Sequence, residues 1–128
     1  MDYLDIEQFF TDNKLEELLS LYKEDFEDAD EYSKSFINNL LISATECQEA
    51  LDVLTGLYMK FNVVYNIADF YYQKKKELGK MNKDLTISTM TYLRVRNIFK
   101  AYIDNVKRAI STCQSQLKYW ISEIRLTK

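Results

Sequence analysis

At 128 residues the chain has the length of a single domain, and 47% apolar content is enough for a core. It has no proline or histidine and only two glycines. It therefore nearly lacks the residues that make sharp turns and hairpins, and wholly lacks the commonest general base and metal ligand. The formal charge of −3 hides a division: residues 1–57 carry fifteen Asp/Glu and three Lys, a formal −12, whereas residues 58–128 carry fourteen Lys/Arg and five Asp/Glu, a formal +9.

In chain order, the pattern predicts short acidic helices over residues 1–27. The first covers about Leu4 to Phe10. The second is announced by Asn13-Lys14-Leu15-Glu16, which has capping-box form, and buries Leu15, Leu18, Leu19 and Tyr22. The stretch from Glu24 to Glu31 follows, its carboxylates suited to the positive end of a helix dipole. From there Phe36, Leu40, Ala44, Cys47, Leu51, Leu54, Tyr58, Phe61, Tyr65, Ala68 and Tyr72 recur at steps of four and three, a coiled-coil seam that predicts one long helix over 28–79. Gly56 is its single weak point, and Gly79 its C-terminal stop.

After a connector over Lys80 to Ile87, a second long helix is expected over 88–126. Its seam is Tyr92, Val95, Phe99, Tyr102, Val106, Ala109, Cys113, Leu117, Trp120 and Ile124. Two matched seams and a short connector imply an all-α single domain built as a long antiparallel, coiled-coil-like helical hairpin with short N-terminal helices. Ile37, Leu41, Leu57, Val64, Ile98, Ile103, Ile110 and Ile121 widen the stripe beyond what one partner helix covers. Either the N-terminal helices fold back or a second subunit covers the excess, and two short helices are too small for a seam of about 70 Å. A homo-oligomer is therefore expected, with Phe61 and Trp120 in its dry contacts.

No Walker loop, dinucleotide fingerprint or nucleophile elbow is present, and the carboxylates fall on solvated faces or near caps. Cys47 and Cys113 sit on the seams, as buried small hydrophobes do, and are too few for a disulfide framework or a zinc cluster. A non-enzyme without cofactor or metal is expected. The acidic N-terminus lacks the basic segment of a secretion signal, and no apolar run reaches the ~20 residues that span a bilayer, so a cytoplasmic setting is expected, without membrane insertion.

Basic residues gather in two places. Lys74, Lys75, Lys76, Lys80 and Lys83 cluster at the hairpin tip, and on the last helix Arg96, Lys100, Lys107, Lys118 and Arg125 share a stripe within about 40°, extended by Arg94 and Arg108. Mixed signs mark an ordinary solvated face, whereas a face of one sign beside Phe70-Tyr71-Tyr72 has the composition that tracks phosphates and stacks bases of single-stranded nucleic acid. Of these rings Tyr72 is expected on the seam, Phe70 buried and Tyr71 available for stacking. The competing site is the acidic half, where Glu24, Asp25, Glu27, Asp28, Asp30 and Glu31 offer carboxylates to a protein partner in imitation of phosphates. A purely structural coiled-coil part is the third reading.

The run Asn82-Lys83-Asp84-Leu85, then Tyr102-Ile103-Asp104-Asn105-Val106-Lys107-Arg108-Ala109-Ile110 and Gln116-Leu117-Lys118-Tyr119-Trp120-Ile121, resembles the UvsY recombination mediator family of tailed bacteriophages. Asp30-Glu31-Tyr32-Ser33-Lys34 upstream is compatible with the same pattern, and the similarity spans Asp30 to Arg125. The resemblance implies a small, helical, oligomeric non-enzyme that binds single-stranded DNA and helps load a recombinase. It gives that role to Lys74, Lys75, Lys76, Arg94, Arg96, Lys100, Lys107 and Arg108. The acidic first half departs from the family's generally more basic pattern.

Overall fold

The structure, a computed structural model, describes residues 3–37, 43–79 and 86–126. Among these the regular structure is all helical: α1 (Tyr3–Thr11), α2 (Leu15–Leu21), α3 (Lys23–Ile37), α4 (Ala44–Gly79) and α5 (Thr86–Leu126). The hairpin predicted from the two seams is formed by α4 and α5. Thr89 meets the Lys75 carbonyl, Arg96 meets Asp69, Lys107 lies over Tyr58, and Cys113 meets Cys47. Partners on α5 advance as those on α4 recede, so the two helices are antiparallel. Leu54, Phe61, Val64, Ala68, Val95, Phe99 and Val106 fill the space between them.

The single helix expected over 28–79 is instead two elements lying side by side. Lys60 Nζ is 3.5 Å from Asp25 Oδ1, whereas 35 residues of continuous helix would separate them by about 50 Å. α3 therefore turns back along the hairpin. α4 has its own start, where the Ser43 hydroxyl accepts a hydrogen bond from the Glu46 N–H at 3.1 Å, the standard N-cap bond. Gly56 interrupts nothing and lies inside α4.

The capping box expected at Asn13 is also absent, because Asn13 does a different job. At φ 57 it adopts the left-handed conformation that asparagine tolerates, and it ends α1. The Lys14 N–H bonds the Phe9 carbonyl and the Asn13 N–H bonds the Phe10 carbonyl, the paired bonds of a Schellman terminus. α2 then begins after Lys14 with no side-chain cap.

Fold-back of α1–α3 covers part of the widened apolar stripe, while Ile121 near the end of α5 stays 48% exposed. Phe10 stacks on Tyr71 at 5.4 Å and on Tyr92 at 5.8 Å, and its carbonyl accepts a 2.6 Å hydrogen bond from the buried Tyr92 hydroxyl. Tyr22 meets the Phe99 ring edge-on, while Phe26 sits among Phe61, Phe99 and Tyr102. Of the widening residues, Leu57, Val64 and Ile103 are buried. No helix among the described residues is long and apolar enough to cross a membrane.

Candidate nucleic-acid interface

α1–α3 occupy one flank of the hairpin and leave the other open. On that open flank Tyr58, Tyr65 and Tyr72 follow one another at seven-residue steps along α4. Each advances about 20° less than two full turns, so the three half-exposed rings form one row. Cations lie over every ring. Lys107 Nζ is 5.8 Å from the Tyr58 centroid, the Arg96 guanidinium is 5.5 Å from both Tyr65 and Tyr72, and Lys76 Nζ is 5.9 Å from Tyr72. Lys100, on the same stripe of α5 between Arg96 and Lys107, is exposed.

The basic residues read from the sequence separate into three groups on this scaffold. Lys74, Lys76, Lys100 and Lys107 present ammonium groups to solvent on or beside the open flank or at the tip, and Arg108 is exposed farther around α5. Arg96 is turned inward. Its Nε donates to Asp69 at 2.7 Å and its other nitrogens reach Tyr65 Oη and Asn97 Oδ1 at 3.4 Å, so its guanidinium holds the hairpin together. Arg94 points to the covered flank, where it meets Glu16 at 3.3 Å, and Lys75 is half-buried against the Tyr92 ring. Lys80, Lys83 and the side chain of Trp120 lie outside the described residues.

Two aromatic expectations are corrected. Tyr71 is stacked against Phe10 at 8° between ring planes and is half-buried in the chain's own core, so its face is not free for a base. Phe70, expected to be buried, is 56% exposed, because it falls on a face of α4 that neither α5 nor α1 covers. Phe61 is wholly buried against Phe26, Phe99 and Tyr102, so it packs the single chain and offers nothing to a partner.

The acidic residues divide as well. Asp25 is half-buried beside Lys60, and Asp30 Oδ2 accepts a 3.3 Å hydrogen bond from Tyr102. Glu24, Glu27, Asp28 and Glu31 are exposed on one side of α3, opposite Phe26. The exposed carboxylates of α3 and the exposed lysines of the open flank thus carry opposite signs.

Burial sets the chemistry of the remaining groups. Desolvation pushes the Tyr102 phenol up, with Asp30 adding to the effect. Burial likewise raises Tyr22 and Tyr92. The Cys113 thiol donates to the Cys47 carbonyl at 2.7 Å, and burial, then the neighbouring Cys47, push it up to about 11. Its thiolate is scarce at neutral pH, which suits a packed thiol and not a nucleophile. Among the described residues no cluster of three His, Cys, Asp or Glu side chains is placed to hold a metal ion.

Sequence reasoning placed Tyr58, Tyr65 and Tyr72 on the seam and missed the row they form. The available signal was their strict seven-residue spacing opposite basic residues eleven apart, Arg96 and Lys107. No family model matches the chain, and neither the curated proteins nor the solved structures yield a match.

Proposed function

We propose that this chain is a non-enzymatic accessory protein that binds single-stranded DNA, of the kind that mediates recombination or replication in a bacteriophage-infected cell. The reading rests on Tyr58 under Lys107 and Tyr72 under Lys76, in one row with Tyr65 and with the exposed Lys100 beside it, on the flank that α1–α3 leave open. A lysine over an exposed ring contributes about 0.5–1 kcal/mol, whereas a base stacked on an aromatic side chain contributes about 1–3 kcal/mol. A base therefore displaces the lysine from the ring, and the released ammonium is left beside the strand's own phosphate. Binding of this type follows the backbone and not the sequence, and it weakens steeply with salt. The setting is the cytoplasm of the host, and the exposed carboxylates of Glu24, Glu27, Asp28 and Glu31 form the surface for a recombinase or another protein partner.

A titration of single-stranded DNA at several salt concentrations tests the proposal. Replacing Lys100 and Lys107 with glutamate weakens binding to all sequences alike, and shrinks the log–log salt slope by roughly 0.7 for each phosphate no longer neutralised. Folding survives, since both side chains are exposed. Absence of binding by the unaltered protein at low salt sinks the reading. The acidic side of α3 is favoured as the working surface in that event, because four carboxylates facing solvent on one side of a helix match a partner's basic patch.

A further inference from the structure

The chain's only two cysteines, 66 residues apart, face each other across the hairpin. Both are free thiols with no exposed surface. The Cys113 thiol donates to the Cys47 carbonyl at 2.7 Å, the Cys47 thiol reaches Gln116 Oε1 at 3.3 Å, and each thiol perturbs the other's ionisation as groups in contact do. One turn nearer the hairpin tip Ala50 and Ala109 are buried as well, so the seam here is made of small side chains that let the two helices run close together. A disulfide needs Cα atoms about 4.4–6.8 Å apart, and a sulfur already 2.7 Å from the other cysteine's own backbone leaves little of that approach to be made.

We infer that Cys47 and Cys113 are a modification site, closing as an intramolecular disulfide that ties the start of α4 to α5 when the chain meets a low-molecular-weight disulfide such as oxidised glutathione. One cysteine, as thiolate, attacks a sulfur of the reagent, whose S–S bond breaks. A mixed disulfide forms, and the departing thiolate takes up the proton that the cysteine released. The second cysteine thiolate then attacks the protein sulfur of the mixed disulfide, expels the other half of the reagent as a thiol and closes the Cys47–Cys113 bond. Two electrons pass from the protein to the reagent, which leaves as two thiols.

Burial and the scarcity of thiolate govern how fast this happens, not how far it goes. Cys47 lies in the first turn of α4, and helix ends open most readily, so local opening admits the reagent. The equilibrium depends on how well the fold holds the two sulfurs together, which the observed contact supplies. In a thiol-rich compartment the pair rests reduced, and in a disulfide-rich one it closes. The bond lies farther from the tip than Tyr58 and Lys107, so it fixes the register of α4 on α5 without touching the tyrosine row. It does not depend on DNA binding, and its failure leaves the proposal for the open flank untouched.

Incubation of the full chain with mixtures of oxidised and reduced glutathione at mildly alkaline pH, followed by acid quenching and mass spectrometry of the intact protein and its proteolytic peptides, tests the inference. The expected product is a monomer lighter by two hydrogens, with the peptides that hold Cys47 and Cys113 joined. At a fixed concentration of reduced glutathione, the folded chain reaches half conversion with at least roughly tenfold less oxidised glutathione than the same chain in concentrated urea. By the same thermodynamic cycle the cross-linked protein melts at a higher temperature than the reduced one, and reduction reverses the gain. Cys47→Ala and Cys113→Ala, each removing one thiol, stop at a glutathione adduct or do not react. A chain that stays reduced, that accumulates only glutathione adducts or disulfide-linked dimers, that needs as much oxidant folded as in urea, or that melts lower once cross-linked overturns the inference.

Discussion

The two flanks of the hairpin use the same residue types to opposite ends. On the flank covered by α1–α3, Phe10, Tyr22 and Phe26 meet Tyr71, Tyr92, Phe99 and Tyr102 ring against ring, and the buried Tyr92 hydroxyl is satisfied by a carbonyl. On the open flank Tyr58, Tyr65 and Tyr72 meet cations and keep part of their surface in water. An aromatic ring closed off by another ring contributes to stability alone. Tyr58, covered by the exposed Lys107, remains available to a ligand, because that cover is weaker than a base that replaces it, whereas Tyr65 lies under the Arg96 guanidinium that Asp69 holds.

The largest expected effect lies between the flanks. Phe99→Ala removes a wholly buried ring that Tyr22, Phe26 and Phe61 all touch, and costs about 3–5 kcal/mol in denaturant unfolding. A loss below about 1 kcal/mol would mean that α2 and α3 do not dock on the hairpin through this ring. Next comes Tyr58→Leu on the open flank, which keeps the fold but weakens single-stranded DNA binding by about 1–3 kcal/mol if a base stacks there. An equal loss in stability and none in binding would move Tyr58 to the structural side.

Arg96→Met separates the basic residues from one another. It costs about 1–2 kcal/mol in stability, through removal of the charge-assisted bond to Asp69, and leaves the salt slope of DNA binding unchanged. A reduced slope would return Arg96 to the phosphate-binding set. On the covered flank, the raised Tyr22, Tyr92 and Tyr102 phenols give a sign to alkaline unfolding. Each is more readily protonated in the folded chain than in the unfolded one, so their contribution is complete below the ordinary tyrosine value of 10.0 and is lost as pH rises through the elevated folded values. Melting temperatures followed upward from neutral pH fall above that value, and Tyr102→Phe makes the fall shallower. The smallest effect belongs to the exposed Arg94–Glu16 pair: Arg94→Ala changes stability by less than about 0.5 kcal/mol and is screened by salt.

Helical class, the antiparallel hairpin and the burial of both cysteines were legible in the chain, because each depends on local periodicity. The division of residues 28–79 into α3 and α4 was not. The seam from Phe36 through Leu40 and Ala44 to Cys47 keeps its step of three and four across the boundary, so periodicity alone reads as one helix what the fold divides. The Ser43 cap is a one-residue signal beneath that pattern. Asn13 shows the same limit in small: its type permits either a cap of α2 or a left-handed stop to α1, and only the docking of Phe10 between Tyr71 and Tyr92 decides for the stop. Charge segregation was likewise written in the sequence, but which charges remain available was not. Whether a cation faces water, as Lys100 does, or spends its hydrogen bonds inside, as Arg96 does on Asp69, depends on partners 27 or more residues away, and only the packing of α4 against α5 brings them together.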